Sequence, residues 1–284
     1  MKFTLPARPP FNFQSVVNSH GWIQLAPFRF EDDAVHYVDH LSSGRVVEYR
    51  ISGANHGLQV ETEKLSNAGK VTWMFGLDMD FSEFYKAARR EPKLKKAIRA
   101  AHGRVLRSPT FYEDVVKTIF TTNTLWSGTK SMTQKLVASF GDPLPDSDKR
   151  AFPKPHRIAA AGPELLKETV RVGYRAPALH ELSARVASGD LDLESYKTST
   201  LPTSELRREL MKMNGVGPYA AANLLLILGR SDFIPVDSWA LKLVSHEWYR
   251  GKPITAREVE KRFESWGEFK GLAFWFWDWK YHNE

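Results

Sequence analysis

Residues 210–240 read LMKMNGVGPYAAANLLLILGRSDFIPVDSWA, and this stretch decides the fold. The segment SELRRELMKM that leads into it combines good helix formers with apolar residues at helical spacing. Gly215 and Gly217 then permit a tight turn, and Pro218 suits the first position of a second helix. Gly229 stands where that helix would end. The stretch therefore predicts a helix, a glycine hairpin, a second helix, a short loop and an isolated aspartate, Asp237.

The segment GVGPYA allows three interpretations. A dinucleotide-binding fingerprint needs a preceding strand, but a charged amphipathic helix precedes it here. An ordinary corner between two helices also uses glycines. A helix-hairpin-helix would instead present the N–H groups of Gly215 and Gly217 to a DNA phosphate. The sequence IPVDSWA, about twenty residues further on, favours this third interpretation.

Asp237 has two compatible interpretations. An aspartate directly before SWALKLV is a good helix N-cap, and by itself the residue favours capping over catalysis. A carboxylate at a helix N-terminus is stabilised in its ionised form, which also suits a group that faces a developing cation.

The run MNGVGPYAAANLL, followed by DFIPVDSWA, resembles the helix-hairpin-helix–Gly/Pro–Asp motif of the base-excision DNA glycosylase superfamily. With GYRA upstream, the chain is most similar to the 3-methyladenine glycosylase II and 8-oxoguanine glycosylase branches. The resemblance covers most of the chain and is strongest over 111–243. It implies an α+β, mostly α fold with an N-terminal antiparallel β domain and two helical subdomains that enclose a cleft. The expected domains are 1–80, 81–115 with 240–284, and 116–239.

The pattern of the chain agrees with this expectation. Four segments between residues 11 and 80 alternate in the manner of strands: VVNSHGWIQL, RVVEYRIS, GLQVETE and KVTWMFGL. Residues 81–99 and 110–120 have the pattern of helices, and the aromatic run SWGEFKGLAFWFWDWKYH predicts a C-terminal helix with a core face.

Composition narrows the possible functions. The formal charge of +7 and the pI near 9.4 suit a polyanionic partner, although many basic proteins bind no nucleic acid. The chain has no cysteine, which excludes disulfides, thiolate zinc sites and cysteine nucleophiles. No apolar run approaches the length of a membrane span, the N-terminal residues lack a signal-peptide core, and the histidines show no metal-binding spacing.

The resemblance assigns DNA contacts to three residues. Asn123 falls where the family fills the gap left by an extruded base, and Tyr174 falls where a tyrosine wedges beside the lesion. Arg175 would contact a phosphate or pair with a carboxylate. Without the resemblance, Asn123 is equally consistent with a turn residue, and Tyr174 with an aromatic core residue beside a salt bridge.

The resemblance also assigns the chemistry. Asp237 matches the aspartate that assists loss of the base, while Tyr219, Trp275 and Trp277 are candidates for the base pocket. Relatives that also cleave the strand carry a Schiff-base lysine at the position of Tyr219, which implies a monofunctional enzyme here. The glutamine that reads oxidised guanine would fall near Gly271, so an alkylated purine is the expected substrate.

No cofactor is required for such a reaction, but the family hairpin often holds a sodium, potassium or magnesium ion. The matching ligands are the backbone carbonyls of Met211, Met213 and Val216. We therefore expect a monomeric, monofunctional glycosylase of damaged double-stranded DNA with no membrane partner, cytoplasmic in a prokaryote or nuclear in a eukaryote. Two alternatives remain: an inactive damage- or structure-binding DNA module, and a bifunctional glycosylase/AP lyase that uses an unaligned lysine.

Overall fold

A five-stranded antiparallel sheet forms the N-terminal part of the chain in the computed structural model, which describes residues 1–63 and 68–279. Its strands are β1 (Lys2–Pro6), β2 (Arg29–Glu31), β3 (Ala34–His40), β4 (Val46–Ala54) and β5 (Gly57–Glu61). They lie in the order β1-β5-β4-β3-β2, each antiparallel to its neighbours. The predicted antiparallel sheet is confirmed, and RVVEYRIS and GLQVETE fall on β4 and β5.

Two of the four predicted strands are wrong. The segment 16–25 holds the end of a short helix (Phe13–Val17), which Asn12 caps by accepting from Ser15 N, and a 3₁₀ turn (Gly21–Gln24). The segment 70–77 lies mostly in a second helix (Ala68–Phe75), which buries Val71, Met74 and Phe75. Spacings of three and four place those side chains on one helical face. A short apolar run fits both the helical and the strand period, so the sequence pattern did not distinguish them.

Within the described residues, helices make up most of the remaining chain. The α-helices are α1 (Phe13–Val17), α2 (Ala68–Phe75), α3 (Ser82–Ala88), α4 (Lys95–Arg99), α5 (Phe111–Thr121), α6 (Trp126–Phe140), α7 (Pro155–Val170), α8 (Ala176–Ser188), α9 (Thr203–Met211), α10 (Pro218–Ile227), α11 (Ser238–Tyr249), α12 (Ala256–Arg262) and α13 (Lys270–Trp275). The predicted α+β, mostly α class is confirmed. Of the helices in the described ranges, none is long and apolar enough to cross a membrane.

The predicted long C-terminal helix is wrong. A 3₁₀ segment (Glu264–Phe269) with Gly267 at φ 55° precedes α13, and the helix ends at Trp275. Glycine adopts this left-handed conformation readily, so the chain turns at Gly267 instead of continuing one helix. The core role of the aromatic residues is confirmed, because Phe274, Trp277 and Trp279 are buried. The last three residues of the predicted helical run, 280–282, lie outside the described residues.

The chain divides into two compact units. The first contains the sheet and consists of Met1–Met79, Arg104–Ser199 and Met213–Gly215. The second consists of Asp80–Gly103, Thr200–Lys212 and the chain from Val216 onward. The domain division expected from the sequence, at residues 80, 115 and 239, stays a prediction.

In the first unit, α5 is buried along nearly its whole length although it carries three ionisable side chains. Lys117 Nζ donates to Glu113 Oε1 at 2.6 Å, and the hydroxyl of Tyr37 on β3 donates to Glu113 Oε2 at 2.5 Å. The indole of Trp22 donates to Asp114 Oδ1 at 2.8 Å. Because buried charges need partners, these bonds hold α5 in one position against the β-rich segment.

Candidate functional site

Asp237 lies in the second unit, at the N-cap of α11. Its backbone is extended, and its Oδ1 accepts from the Ala240 amide at 2.8 Å. Among the residues that the structure describes, no hydrogen bond reaches Oδ2, and the side chain is exposed. The predicted N-cap is confirmed. One oxygen therefore holds the carboxylate over the first turn of α11 while the other stays available for a substrate.

An aromatic cluster packs beneath this helix in the second unit. Trp277 contacts Phe263, with centroids 5.2 Å apart, and Trp248, with centroids 5.4 Å apart. Only 9% of Trp277 is exposed, whereas Trp275 is half-buried. The base-pocket role of both tryptophans stays a prediction, and Trp275 is the one with accessible surface.

Sequence reasoning missed Trp239. Its side chain is 51% exposed two residues after Asp237, and its ring stands nearly perpendicular to those of Phe274 and Trp279. The centroid distances are 6.5 Å to Phe274 and 6.3 Å to Trp279. A tryptophan at the second position of a helix that opens on Asp237 was visible in the sequence, but only tertiary packing shows which aromatic residue stays open.

The second hairpin helix, α10, begins as predicted. Gly217 is its N-cap, Pro218 opens it, and both are exposed. Tyr219 is half-buried, and its carbonyl accepts from Asn223 Nδ2 at 3.1 Å. The structure thus places Tyr219 in the first turn of α10, and its role in base binding stays a prediction.

Gly215 belongs to the first unit together with α5 and α8. Its φ of 85° is left-handed, which favours glycine. An added Cβ would lie 3.4 Å from Ala178 and 3.5 Å from Ile119, and Asn214 next to it donates to Glu181. The hairpin tip is therefore fixed by packing, and Gly215 itself is exposed. The phosphate contacts of Gly215 and Gly217 stay predictions.

Asn123 and Tyr174 meet in the first unit. Asn123 has a left-handed φ of 46°, and its Nδ2 donates to the Tyr174 hydroxyl at 3.1 Å. Partial burial raises the pKa of Tyr174, but hydrogen bonds with Asn123 and Thr122 and the charge of Arg175 bring it below its ordinary value. Tyr174 is 64% exposed, so its ring can reach a ligand. The structure brings together two residues that lie 51 positions apart.

Arg175 is buried, and its guanidinium faces the C-terminal end of α5. It donates to the carbonyls of Ile119, at 3.3 Å, and Thr122, and its guanidinium carbon lies 4.6 Å from the centroid of the Tyr174 ring. Carbonyls at a helix C-terminus are favourable partners for arginine, and the Ile119 carbonyl also accepts from the Thr122 amide and hydroxyl. Arg175 therefore fixes the loop that carries Asn123, and a direct phosphate contact stays a prediction.

Leu125 is a second exposed residue that sequence reasoning missed. It lies two residues after Asn123 and is 79% exposed. The adjacent Trp126 donates to Gln24 Oε1 at 3.0 Å and packs over Gly21, where an added Cβ would lie 2.2 Å from the indole. The loop 122–126 is therefore held at both ends, by Arg175 and by Trp126, and presents Leu125 to solvent.

Gly271 lies near the position at which the resemblance places a guanine-reading glutamine. Its amide donates to the Ser231 carbonyl at 2.7 Å, and an added Cβ would lie 2.7 Å from Phe233 O and 2.8 Å from Ser231 O. Backbone atoms cannot give way as a flexible side chain can. The position therefore cannot carry a side chain without moving the 231–233 loop.

The resemblance predicted a cation on three backbone carbonyls of the hairpin. Among the described residues, the carbonyl oxygens of Met211, Met213 and Val216 accept no backbone hydrogen bond. Oxygen ligands of this kind are those that sodium, potassium and magnesium prefer. Groups of three or more His, Cys, Asp or Glu that could hold a metal do not occur in the described ranges. The hairpin ion stays a prediction.

Comparison with known proteins identifies the family. A family model described as "HhH-GPD superfamily base excision DNA repair protein" matches residues 116–269, more than half of the chain. The matched region contains the hairpin, Asp237 and the Asn123 loop. The chain belongs to the HhH-GPD superfamily of base excision DNA repair proteins, and the resemblance drawn from the sequence is confirmed.

One protein of known sequence and two solved structures are similar to this chain. DNA-3-methyladenine glycosylase from Bacillus subtilis (strain 168) is 27% identical over 155 residues, which are 54% of this chain and 50% of that protein. The chain thus spans about half the length of this curated relative. The structure of MBOgg1 in complex with low affinity DNA ligand has a TM-score of 0.78 and 26% identity, covering 97% of this chain and 93% of its own. 3-Methyladenine DNA-glycosylase from Archaeoglobus fulgidus has a TM-score of 0.78 at 20% identity, covering 96% and 97%, which shows the fold alone.

Proposed function

We propose that the protein is a monofunctional DNA glycosylase, which extrudes a damaged base from duplex DNA and hydrolyses its N-glycosidic bond. The observation that carries the proposal is the position of Asp237. In a chain of the HhH-GPD superfamily, this carboxylate follows the hairpin, caps α11 through one oxygen and keeps the other exposed.

The carboxylate suits the charge that base loss creates. As the bond between C1′ and the base nitrogen breaks, its electron pair leaves with the base and the sugar gains oxocarbenium character. An ionised carboxylate nearby stabilises that positive charge. A water molecule then attacks C1′ and loses its proton, which Asp237 Oδ2 can accept. The products are the free base and an abasic site.

Tyr219 supports hydrolysis without strand cleavage. A Schiff-base mechanism needs an amine, and a phenol cannot form an imine. Lys212 is exposed and bonded to Glu209, with Nζ to Oε1 at 2.8 Å, and it lies outside the motif position. We therefore expect strands to break only after alkali treatment.

Two features favour an alkylated purine as the damaged base. Gly271 is closed to any side chain by the carbonyls of Ser231 and Phe233, so a polar reader of oxidised guanine is missing at that position. The exposed ring of Trp239, packed against Phe274 and Trp279, and the half-buried Trp275 offer π-faces, which attract a cationic, electron-poor base.

Extrusion of the base requires contacts that replace the lost stacking. The loop 122–126 and Tyr174 supply exposed side chains for this purpose: Asn123 can bond the orphaned partner base, and Leu125 and Tyr174 can insert into the stack. The N–H groups of Gly215 and Gly217 would bind a backbone phosphate, with the hairpin ion, if present, adding positive charge there. Such an enzyme acts on DNA as a monomer.

The experiment is an excision assay on duplexes that each carry one lesion: 3-methyladenine or 7-methylguanine, hypoxanthine, uracil, or 8-oxoguanine. Wild type and Asp237→Asn are compared with and without alkali, and borohydride trapping tests for a covalent adduct. We expect removal of an alkylated purine by wild type, visible as strand breaks only after alkali. Borohydride-trapped adducts would instead indicate a lyase, and tight binding without excision of any lesion would indicate a damage-binding module.

A further inference from the structure

One face of α11 remains open and lacks acidic residues. Trp239, Lys242 and His246 follow one another at spacings of three and four, which places them on the same side of the helix, and Arg250 follows as its left-handed C-cap. All four side chains are exposed. We call this set the α11 stripe.

The buried residues of α11 show that the stripe faces solvent. Ala240 and Val244 are buried on the side away from the stripe, and Leu243, four residues after Trp239, is buried at the edge of the stripe. The one acidic residue of α11, Glu247, is 13% exposed in its side chain and bonded to Lys93. The stripe consequently presents positive charge and one indole ring without a carboxylate among them.

Lys242 and Arg250 of the stripe are available to a ligand. Within the described part of the chain, neither Lys242 nor Arg250 forms an ion pair, whereas Lys93 and Lys96 of the same unit pair with Glu247 and Asp278. Trp239 is held from behind by Phe274 and Trp279 yet remains 51% exposed. An exposed aromatic ring beside unpaired cations is the usual composition of a surface that follows a nucleic-acid strand.

We propose that the α11 stripe binds the sugar–phosphate backbone of the DNA strand that carries the target nucleotide. Asp237 begins the same helix, so the strand would pass from the reacting sugar along Trp239 to Lys242, His246 and Arg250. This inference rests on the proposed function for the position of the target nucleotide. From Lys242 to Tyr249, the last helical residue, α11 rises about 10 Å, which is the axial rise of roughly three base pairs of duplex DNA.

The chemistry of each residue fits this ligand. Lys242 and Arg250 neutralise phosphates, and His246 can donate a hydrogen bond to one. Trp239 packs its ring on the sugar or base next to the target nucleotide, where stacking contributes about 1–3 kcal/mol per base. Phosphates on this strand therefore contribute to affinity in addition to those bound by the hairpin.

The test measures coupling between Lys242 and individual phosphates. The probe is a duplex with a tetrahydrofuran abasic analogue at the target position, which has no base to remove. In a series of such duplexes, one phosphate at a time next to the analogue is replaced by an uncharged methylphosphonate. Dissociation constants are measured for wild type, Lys242→Gln, and the control Lys261→Gln, which removes the same charge from an exposed position on α12.

For wild type we expect one or two methylphosphonates on the lesion strand to weaken binding about 5-fold, and Lys242→Gln to abolish that sensitivity. The slope of log K against log salt should fall by about one for Lys242→Gln. The control should keep the sensitivity of wild type. Trp239→Leu should weaken binding about 5- to 50-fold, and Trp239→Phe should recover most of the affinity.

Lys242→Gln that keeps the methylphosphonate sensitivity of wild type would overturn the inference, as would Trp239→Leu with unchanged affinity. Thermal unfolding of each variant checks that it folds. This test measures binding alone, so its outcome is separate from the outcome of the excision assay that tests the proposed function. Coupling without base removal by wild type would leave the α11 stripe standing and reject the glycosylase, and base removal without coupling would reject only the stripe.

Discussion

The carboxylate of Asp237 and the backbone amide of Ala240 are 2.8 Å apart, and the amide donates to Oδ1. The bond satisfies one of the amides that every helix leaves unpaired at its N-terminus. It also orients the carboxylate, so that capping and catalysis would use different oxygens of the same group. The capping interpretation and the catalytic one are therefore complementary.

Substitution of Asp237 can separate the two roles. Asparagine caps a helix about as well as aspartate, so Asp237→Asn should keep the free energy of unfolding within about 0.5 kcal/mol of wild type. Asp237→Ala should lower it by about 1 kcal/mol. Both should lower the single-turnover rate of base excision at least about 100-fold, because the charge is lost. Urea unfolding and single-turnover kinetics measure the two effects, and an Asn variant that excises at the wild-type rate would refute the mechanism.

Tyr174 should act in recognition with little effect on stability. Its side chain is 64% exposed, and its hydroxyl accepts from Asn123. Tyr174→Ala should lower the preference for lesion-bearing over undamaged duplex about 5- to 50-fold through lost stacking, while Tyr174→Phe should cause a smaller loss. Competition binding measures the preference. Phe30→Leu, a change at another exposed aromatic residue, is the control, and an unchanged preference in Tyr174→Ala would argue against a recognition role.

Arg175 should be needed for stability. Arg175→Met leaves the Thr122 carbonyl without its donor, whereas the Ile119 carbonyl still accepts from Thr122, and an unpaired buried group costs about 1–3 kcal/mol. We expect a loss of this size in urea unfolding, with partial recovery in Arg175→Lys. A variant that unfolds like wild type would contradict the capping of α5. A salt slope that falls by about one in the folded variant would support the predicted phosphate contact.

Two separately buried groups, His20 and Asp114, should have opposite effects on the pH dependence of stability. Burial lowers the pKa of His20 to about 4, so the folded state binds fewer protons than the unfolded state and stability rises with pH up to about 6.5. Burial raises the pKa of Asp114 to about 7, so the folded state binds more protons and stability falls as pH rises from about 4 to 7. Over their shared range the two effects oppose each other.

In Asp114→Asn, the effect of His20 on the pH dependence of stability should no longer be opposed by Asp114. Asparagine keeps an oxygen to accept from Trp22 and Ser108, and it cannot ionise. Relative to wild type, its free energy of unfolding should rise by about 1 kcal/mol for each pH unit between 4.5 and 6.5, with the relative gain levelling off above pH 8. Urea unfolding across this range tests it, and parallel pH curves for the two proteins would contradict the raised pKa of Asp114.

Features with a local cause could be predicted from the sequence. Gly215, Gly217 and Pro218 define the hairpin because backbone freedom and a missing N–H act at the residue itself. The strand alternation of 46–61 and the cap formed by Asp237 are equally local. Segments 16–25 and 70–77 were predicted wrongly because short apolar runs satisfy both the helical and the strand period, and burial chooses between them.

By itself, the sequence determined the order of helices around the hairpin, the residue that follows them and the family to which they belong, because these depend on residue types at short spacing. Only the tertiary structure decided which aromatic side chain is exposed to solvent. Trp239 and Trp277 are the same residue type, but 51% of Trp239 and 9% of Trp277 is exposed. The tertiary structure likewise assigned Arg175 to the end of α5 and closed Gly271 against the 231–233 backbone. Exposure, pairing and close approach depend on residues distant in the chain, and no local pattern contains that information.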